Sequence, residues 1–411
     1  MITLSKYFLS ILIVCLSGVL PAQTLEDYLK LAAENNPGLK ARYAEFEAAM
    51  QRVAQVNTLP DPQLSFGYFI SPVETRVGPQ QAKIGLSQMF PWFGTLRAKG
   101  EMATLLAESK YQEFLNARNE LNFKVKEAWY PLYEVNRTLR LQEKNREILH
   151  TYKQLATVGF KNDKGSMVDV IRVDILIENT DTEIRLLQAK QAPLRSRFNS
   201  LLNRADTFPV FVPDSISLRT VEMAYRRDSL LTAHPLLEAY NLKMLSAQAQ
   251  EDVARKMGSP NFGIGLDYVI VGKGQSNLPD NGKDALMPMV TMSLPLFRGK
   301  YKAAIQEAQF TQLAIASSKK DFENQLLSSY ELFWYELDEA YQLIALYQKQ
   351  IRQINQAQRL LVTSYSHTGE DFEEVLRMQQ ELLDYQIAEA SALKNYYTAL
   401  AKLDYLTAKS E

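Results

Sequence analysis

Four short segments of the chain alternate apolar residues with small or polar ones, which is the pattern of a β-strand with two different faces. The segments form two pairs, and the members of each pair are separated by turn residues at 71–79 and at 272–284. The pattern therefore predicts two β-hairpins, over 62–90 and 260–296. The apolar positions assigned to one face are Leu64, Phe66, Tyr68, Ile84, Leu86, Ile264, Leu266, Tyr268, Val290 and Met292.

This alternation has two interpretations. A soluble sheet that buries one face shows it, and so do transmembrane strands with an apolar side in lipid and a polar side towards a water-filled lumen. Alternation alone favours the soluble sheet. The choice between the two depends on what the rest of the chain forms.

Two long stretches are almost free of helix breakers. Gly299 and Gly369 enclose 69 residues without Gly or Pro, and Gly100 and Gly159 enclose 58 residues whose one breaker is Pro131. Apolar residues at three- and four-residue spacing predict helices with coiled-coil packing. Each would reach roughly 90–100 Å at about 1.5 Å per residue, too long for the interior of a compact domain. The predicted long helices cover 95–158, 167–204, 299–363 and 371–408.

The same order of elements occurs twice along the chain. Asn36-Pro37 and His234-Pro235 open matching amphipathic stretches at an offset of 198 residues. Further on, GFKNDKGSMVDVIR (159–172) matches SYSHTGEDFEEVLR (364–377) at an offset of 205. A slowly drifting offset is what duplication followed by loop insertion produces. The predicted division is a first repeat at 24–204, a linker with two prolines at 205–217, and a second repeat at 218–411.

Residues 1–23 have the pattern of a secretory signal peptide, with the single charge of Lys6 before an apolar stretch and a Pro-Ala-Gln end. The apolar stretch, Tyr7–Leu20, has 14 residues, whereas a membrane-spanning helix needs roughly 20. A lipidated cysteine is the other alternative, but Cys15 lies inside the apolar stretch rather than at its end. We therefore predict cleavage near the end of this segment.

Composition argues against several classes of function. The 46 Lys and Arg nearly balance the 47 Asp and Glu, so the chain has no overall attraction to nucleic acid. Three His and one Cys, with no pair of histidines at liganding spacing, argue against zinc, haem, iron–sulfur and Cys- or His-based catalysis. We therefore predict no enzymatic activity and no cofactor.

Taken together, these features resemble the outer-membrane efflux protein family typified by TolC. The resemblance covers essentially all of residues 24–411. Its most specific local matches are QMFPWFGTLRAKG (88–100), similar to the family's strand-to-helix junction, and VGFKNDKGSMVDVI (158–171), similar to its helix-tip turn. The second tip, TSYSHTGEDFEEVL (363–376), matches more loosely. The nearest branch is the metal- and drug-efflux channels fed by resistance-nodulation-division pumps.

The resemblance implies an α+β outer-membrane protein and a homotrimer. Each chain would give four strands to a twelve-stranded β-barrel in outer-membrane lipid, and its helices would form a tunnel through the periplasm. Elementary chemistry agrees, because four strands leave two open edges that lipid does not tolerate, so several chains must close one barrel.

The function implied is that of a passive exit duct in a tripartite efflux or type I-like secretion system. Its partners would be a periplasmic adaptor (membrane fusion) protein and an inner-membrane pump, with no nucleic acid. The alternative is a structural coiled-coil protein of the outer membrane without a transport role.

The two helix tips hold the predicted docking residues for the adaptor. They share a place in or beside a tip turn, and Gly165 is expected to supply a positive φ there. The predicted docking residues are Phe160, Gly165, Ser166, Asp169, Tyr365, Gly369 and Asp371.

The tips also hold predicted gate charges. Identical acids from three chains would repel one another, so a closed mouth needs pairs between chains, each worth of order 1 kcal/mol or less. A ring of carboxylates would favour cations. The other interpretation of each acid is a charge that favours the helix dipole. The predicted gate charges are Asp163, Asp169, Arg172, Glu370, Asp371, Glu374 and Arg377.

Overall fold

The computed structural model describes residues 24–219, 231–275, 277, 279–368 and 372–408. The predicted signal peptide therefore lies outside the described residues. Contact density divides the described chain into two compact units. The first unit contains the residues up to Lys40, Asn116–His234 and the residues from Asn324 onward, and the second contains Ala41–Leu115 and Pro235–Glu323.

The fold is mostly helical with one small antiparallel sheet. In chain order the elements are α1 (Leu25–Asn35), α2 (Pro37–Val56), β1 (Gln63–Thr75), β2 (Gly78–Phe90), α3 (Thr95–Lys161), α4 (Met167–Leu201), a 3₁₀ turn (Leu231–Ala233), α5 (Pro235–Met257), β3 (Asn261–Val271), β4 (Ala285–Ser293), α6 (Gly299–Thr368) and α7 (Phe372–Leu406).

The long helices follow from the scarcity of breakers. Helix α3 has 67 residues and α6 has 70, while α4 and α7 have 35 each. Pro131 lies inside α3, where its missing N–H does not end the helix. Helix α3 also continues beyond the predicted end at 158, because Gly159 alone does not stop a helix whose backbone bonds continue to Asn162. No described helix combines the length and the apolar character needed to cross a membrane.

The second unit contains the sheet, whose strand order is β1-β2-β3-β4. Strands β2 and β3 pair through registers such as Ile84↔Tyr268, although they are far apart in sequence. The loop predicted at 71–79 is mostly strand, because β1 continues to Thr75 and β2 begins at Gly78. Gly78 has a φ of 124°, which a glycine adopts readily, and the hairpin turns within two residues.

In the first unit, the segment predicted as a linker is held by side chains of α1 and α4. The amide of Asn199 donates to the carbonyls of Asp206 and Phe208 at 3.0 and 2.9 Å. The guanidinium of Arg204 lies 5.1 Å from the ring centroids of both Tyr28 and Phe208, within cation–π range. The start of the linker is therefore part of the packed unit.

The first unit also buries a histidine. His234 is 1% exposed, and its ring meets the ring of Tyr405 edge-on at a centroid distance of 5.6 Å. Desolvation lowers the pKa of His234 to about 4, whereas an unfolded histidine titrates at about 6.5. The folded state therefore resists protonation. The stability that depends on neutral His234 is complete above about pH 6.5 and is lost as the pH falls towards 4.

We expect the substitution His234→Phe to weaken the acid sensitivity of the fold, because a phenyl ring keeps the edge contact and cannot be protonated. Because of His234, the free energy of unfolding of the wild type should fall by about 2–3 kcal/mol when the pH is lowered from 7.5 to 4.5. Thermal unfolding midpoints at both pH values measure this difference. The exposed His150→Phe is the control and should keep the wild-type response. Equal acid sensitivity in His234→Phe and wild type would assign the response to other groups.

Candidate functional site

The first candidate surface is one face of the sheet. The strand registers align apolar residues in rows across all four strands, for example Phe66, Ile84, Tyr268 and Leu286. All ten apolar positions assigned from the alternation lie on this one face, which we call the apolar face: Leu64, Phe66, Tyr68, Ile84, Leu86, Ile264, Leu266, Tyr268, Val290 and Met292. Every one of them is exposed in the single chain, and Phe66 is 73% exposed.

The opposite face of the sheet carries small and polar side chains. The Ser65 hydroxyl donates to the Gly85 carbonyl at 3.3 Å. Lys83 forms an ion pair with Asp267 across β2 and β3. The two faces therefore differ in chemistry as strongly as the faces of a sheet placed between an apolar medium and water.

The sheet has two further features that leave it open to contacts with other molecules. Within the described strands, β1 and β4 each have a neighbour on one side, so each leaves one hydrogen-bonding edge unpaired. At the junction with the helices, Trp92 stacks on Phe262 at 5.8 Å, while Phe93 and Phe297 are almost fully exposed. An apolar face this extensive indicates a surface that is covered in the working protein.

The second candidate surface is the tip, by which we mean the end of α3, the turn at 162–166, and the described neighbouring parts of α4, α6 and α7. Its interior is an apolar cluster contributed by all four helices. Tyr365 lies inside this cluster, 5% exposed, with its ring 4.9 Å from that of Phe372. Phe160, its partner in the predicted repeat, is 45% exposed. These two predicted docking residues therefore differ: Phe160 is accessible, and Tyr365 supports the tip from within.

The turn of the tip differs from the expectation that Gly165 supplies a positive φ. Asp163, with a φ of 58°, is the residue in the left-handed region, and Gly165 has no positive φ, so that expectation was wrong. Asp is among the side chains that tolerate this conformation. Glycine at 165 instead allows a close backbone approach. A Cβ there would lie 3.3 Å from the carbonyl carbon of Gly159 and from the amide nitrogen of Phe160.

Ser166 and Asp169 form a capping box at the start of α4. The Val168 amide donates to the Ser166 hydroxyl, and the Ser166 amide donates to the Asp169 carboxylate, both at 3.1 Å. Such caps contribute about 1 kcal/mol each. Asp169 thus holds the first turn of the helix, which is the helix-start role considered for it from sequence.

The tip arginines are paired inside the chain. Arg172 contacts Glu373 at 2.6 Å and joins α4 to α7. Arg377 donates to Glu374 at 2.9 Å and contacts Glu381 at 2.6 Å. The hydrogen bond from Arg377 lowers the pKa of Glu374. Two other predicted gate charges, Glu370 and Asp371, lie outside the described residues, as does Gly369.

Sequence reasoning missed an exposed apolar stripe on α4. Val170, Val173 and Ile177 are buried in the tip cluster. The residues beside them form a second stripe, at helical spacing, that is about half exposed: Val168, Ile171 and Ile175. The sequence contains a sign of this second stripe, because the apolar residues at 168, 170, 171, 173, 175 and 177 are too many for one helix face.

The comparisons with known proteins agree with this architecture. Residues 227–409 match the model of a family described as outer membrane efflux protein. The resemblance stated from the sequence is confirmed in this respect. No curated protein matches the chain.

Solved structures match over most of the chain, at low identity. The outer membrane protein VceC of Vibrio cholerae has a TM-score of 0.75 and 16% identity, over 93% of this chain and 95% of that one. The open state of the Neisseria gonorrhoeae MtrE outer membrane channel gives 0.74 and 16%, over 93% and 88%. CusC, studied for its conformational changes on folding and transmembrane channel formation, gives 0.77 and 15%, over 93% and 91%. The chain therefore shares their fold.

We expect Gly165→Val to distort the turn of the tip, because its Cβ would lie closer to Gly159 than ordinary contacts allow. The loss of local stability should be about 1–3 kcal/mol. Hydrogen exchange of the amides from 159 to 166 measures it. Lys164→Val, one residue earlier in the same turn, is the matched control and should protect these amides as in the wild type. Equal exchange in both variants would contradict the close-approach role.

Proposed function

We propose that this chain, which resembles the outer membrane efflux protein family in its second half and in its fold, is the exit duct of an export system. Three copies would give four strands each to a twelve-stranded β-barrel in the outer membrane. Their long helices would form a tunnel in the periplasm. The duct would conduct substrates passively from a periplasmic adaptor and an inner-membrane pump, of the resistance-nodulation-division type, to the exterior.

The observation that carries the proposal is the apolar face together with the unpaired edges of β1 and β4. In lipid, an apolar side chain needs no cover, but an unpaired backbone N–H or C=O costs several kcal/mol. The apolar face of a single four-stranded sheet is therefore stable in lipid, but its two unpaired backbone edges are not. Assembly with further copies pairs the edges and leaves the apolar face outward.

Internal duplication is part of the proposal. Within the described residues, the order of helix, hairpin, long helix and shorter helix occurs from α2 to α4 in the first proposed repeat, 24–204, and from α5 to α7 in the second, 218–411, and α4 and α7 both have 35 residues. Each repeat of a duplicated chain contributes one hairpin, so one chain has two hairpins. A trimer then has six hairpins, which supply the twelve strands of the proposed barrel.

The adaptor is proposed to dock on the tip. Exposed apolar groups there include Phe160 and the stripe of Val168 and Ile171, and such patches mark protein contacts. Gly165, Ser166 and Asp169 shape the turn that presents them. Tyr365 contributes through the packed interior. Gly369 and Asp371 lie outside the described residues and are included in the proposed docking surface because of their position in the second tip segment of the sequence.

The gate is proposed to use the charges of the same region. Arg172 and Arg377 hold acids of α7 in pairs that are largely exposed, so each is worth about 1 kcal/mol or less. Weak pairs of this kind can exchange partners between chains when the adaptor binds. Asp163, Asp169, Glu370, Asp371 and Glu374 would then supply rings of carboxylates at the mouth and favour cations.

We expect Phe66→Arg, on the apolar face, to reduce membrane insertion by about 2–4 kcal/mol if the residue lies near mid-bilayer. Ser65→Arg, on the neighbouring position and the opposite face, is the matched control and should insert more nearly as the wild type does. Folding titrations into lipid vesicles measure both. The reverse ranking would mean that the polar face, and not the apolar one, contacts lipid.

We expect Phe160→Asp to abolish export while the trimer assembles and inserts normally, because the change removes an exposed apolar contact of the tip. Leu186→Asp, at an exposed position of α4 outside the tip, is the matched control and should export normally. The measurement is resistance to the toxic metals or drugs to which a deletion strain is sensitive, with trimer yield from the outer membrane determined in parallel. Normal export by Phe160→Asp would remove this residue from the docking surface.

A further inference from the structure

The polar face of the sheet carries very little charge. The described strands contain three charged residues, and one of them, Glu74, lies exposed near the hairpin turn at the end of β1. The other two, Lys83 and Asp267, lie in the middle of the sheet. They lie on the polar face and contact each other. The remaining polar residues of that face, such as Ser87 and Thr291, are neutral.

The sheet is built around this ion pair. Asp267 is opposite Gly85 in the register of β2 and β3, and Lys83 is two residues away on β2. A Cβ on Gly85 would lie 2.5 Å from Asp267 Oδ1 and 2.6 Å from the Ser65 hydroxyl. Glycine at 85 therefore leaves the space in which the Asp267 side chain lies against the sheet.

The two charges differ in their surroundings. Asp267 is 2% exposed, while 37% of the Lys83 side chain remains exposed. Among the described residues, Lys83 is the charged partner of Asp267, so the pair contributes no net charge to the polar face. A buried carboxylate without a cation is unfavourable, and this explains why the pair occurs as a unit.

We propose that the Lys83–Asp267 pair keeps the middle of the strand-lined channel lumen electrically neutral, so that this part does not discriminate between cations and anions. The inference rests on the proposed function, since a closed barrel of three chains would bring three such pairs around one lumen. Loss of one member would leave a ring of three like charges. Charge of one sign in a low-dielectric cleft focuses its field and enriches counter-ions.

The competing explanation is that the pair only fixes the register of β2 and β3. Both roles predict a loss of stability when the pair is broken. Only the lumen role predicts a change of ion selectivity whose sign depends on which member is removed. Selectivity is therefore the readout that separates the two.

The test measures K⁺ over Cl⁻ permeability of the purified full-length trimer in planar bilayers, across a KCl gradient near 10 mM, where charges act over roughly 30 Å. In Asp267→Asn the freed Lys83 should lower the permeability ratio at least about twofold. Lys83→Gln should raise it, and the double variant Lys83→Gln/Asp267→Asn should restore the wild-type ratio. Asp280→Asn is the matched control, because it frees Lys283 from a pair of 3.7 Å in the loop between β3 and β4.

The outcomes are distinct. Wild-type protein that forms no channels, even when Arg172→Gln and Arg377→Gln remove the tip pairs of the proposed gate, would overturn the proposed function and with it this inference. Conducting single variants with an unchanged ratio would overturn the inference alone and leave the pair as a register clamp. An equal shift in Asp280→Asn would assign the effect to overall charge rather than to the lumen. Where Asp267→Asn does not insert, the shift in Lys83→Gln, upward or absent, decides the question.

Discussion

The structure depends on one unsatisfied element, a four-stranded sheet with an exposed apolar face and an unpaired backbone edge on β1 and on β4. Water does not favour such a face, and lipid does not tolerate such edges. An apolar medium on one side and further copies at the edges satisfy both requirements at once. The membrane location and the trimer that we propose are therefore two consequences of the same constraint, and neither requires a spanning helix.

The helices show a related division of surfaces. In the first unit, one apolar stripe of α4 packs into the tip cluster and a second stripe remains exposed. Above that cluster, polar side chains tie the helices together: Gln379 donates to Asn145 at 2.8 Å, and Gln358 donates to Gln379 at 2.6 Å. Buried polar contacts of this kind favour one packing arrangement over others. The four helices thus form a defined unit that still leaves an apolar surface exposed.

Several charged residues at both candidate surfaces are paired inside the chain. Arg172 and Arg377 hold acids of the tip, and Lys83 holds Asp267 on the sheet. The tip pairs are exposed and individually weak, which suits the exchange of partners that we propose for the gate. The pair on the sheet includes a buried carboxylate and is costly to break, which suits a contact that stays in place. Exposure, rather than the number of charges, separates the two roles.

The sequence by itself determined the local features of the protein. Alternation with period two assigned Leu64, Phe66 and their equivalents to one face, and the lack of Gly and Pro predicted helices beginning near 95 and 299, as the structure has them. Only the tertiary structure decided that Tyr365 is buried where Phe160 is exposed, that Gly165 serves a close approach, and that Lys83 meets Asp267. The reason is physical: periodicity acts through neighbouring residues, whereas burial and pairing depend on segments far apart in the chain that the fold brings together.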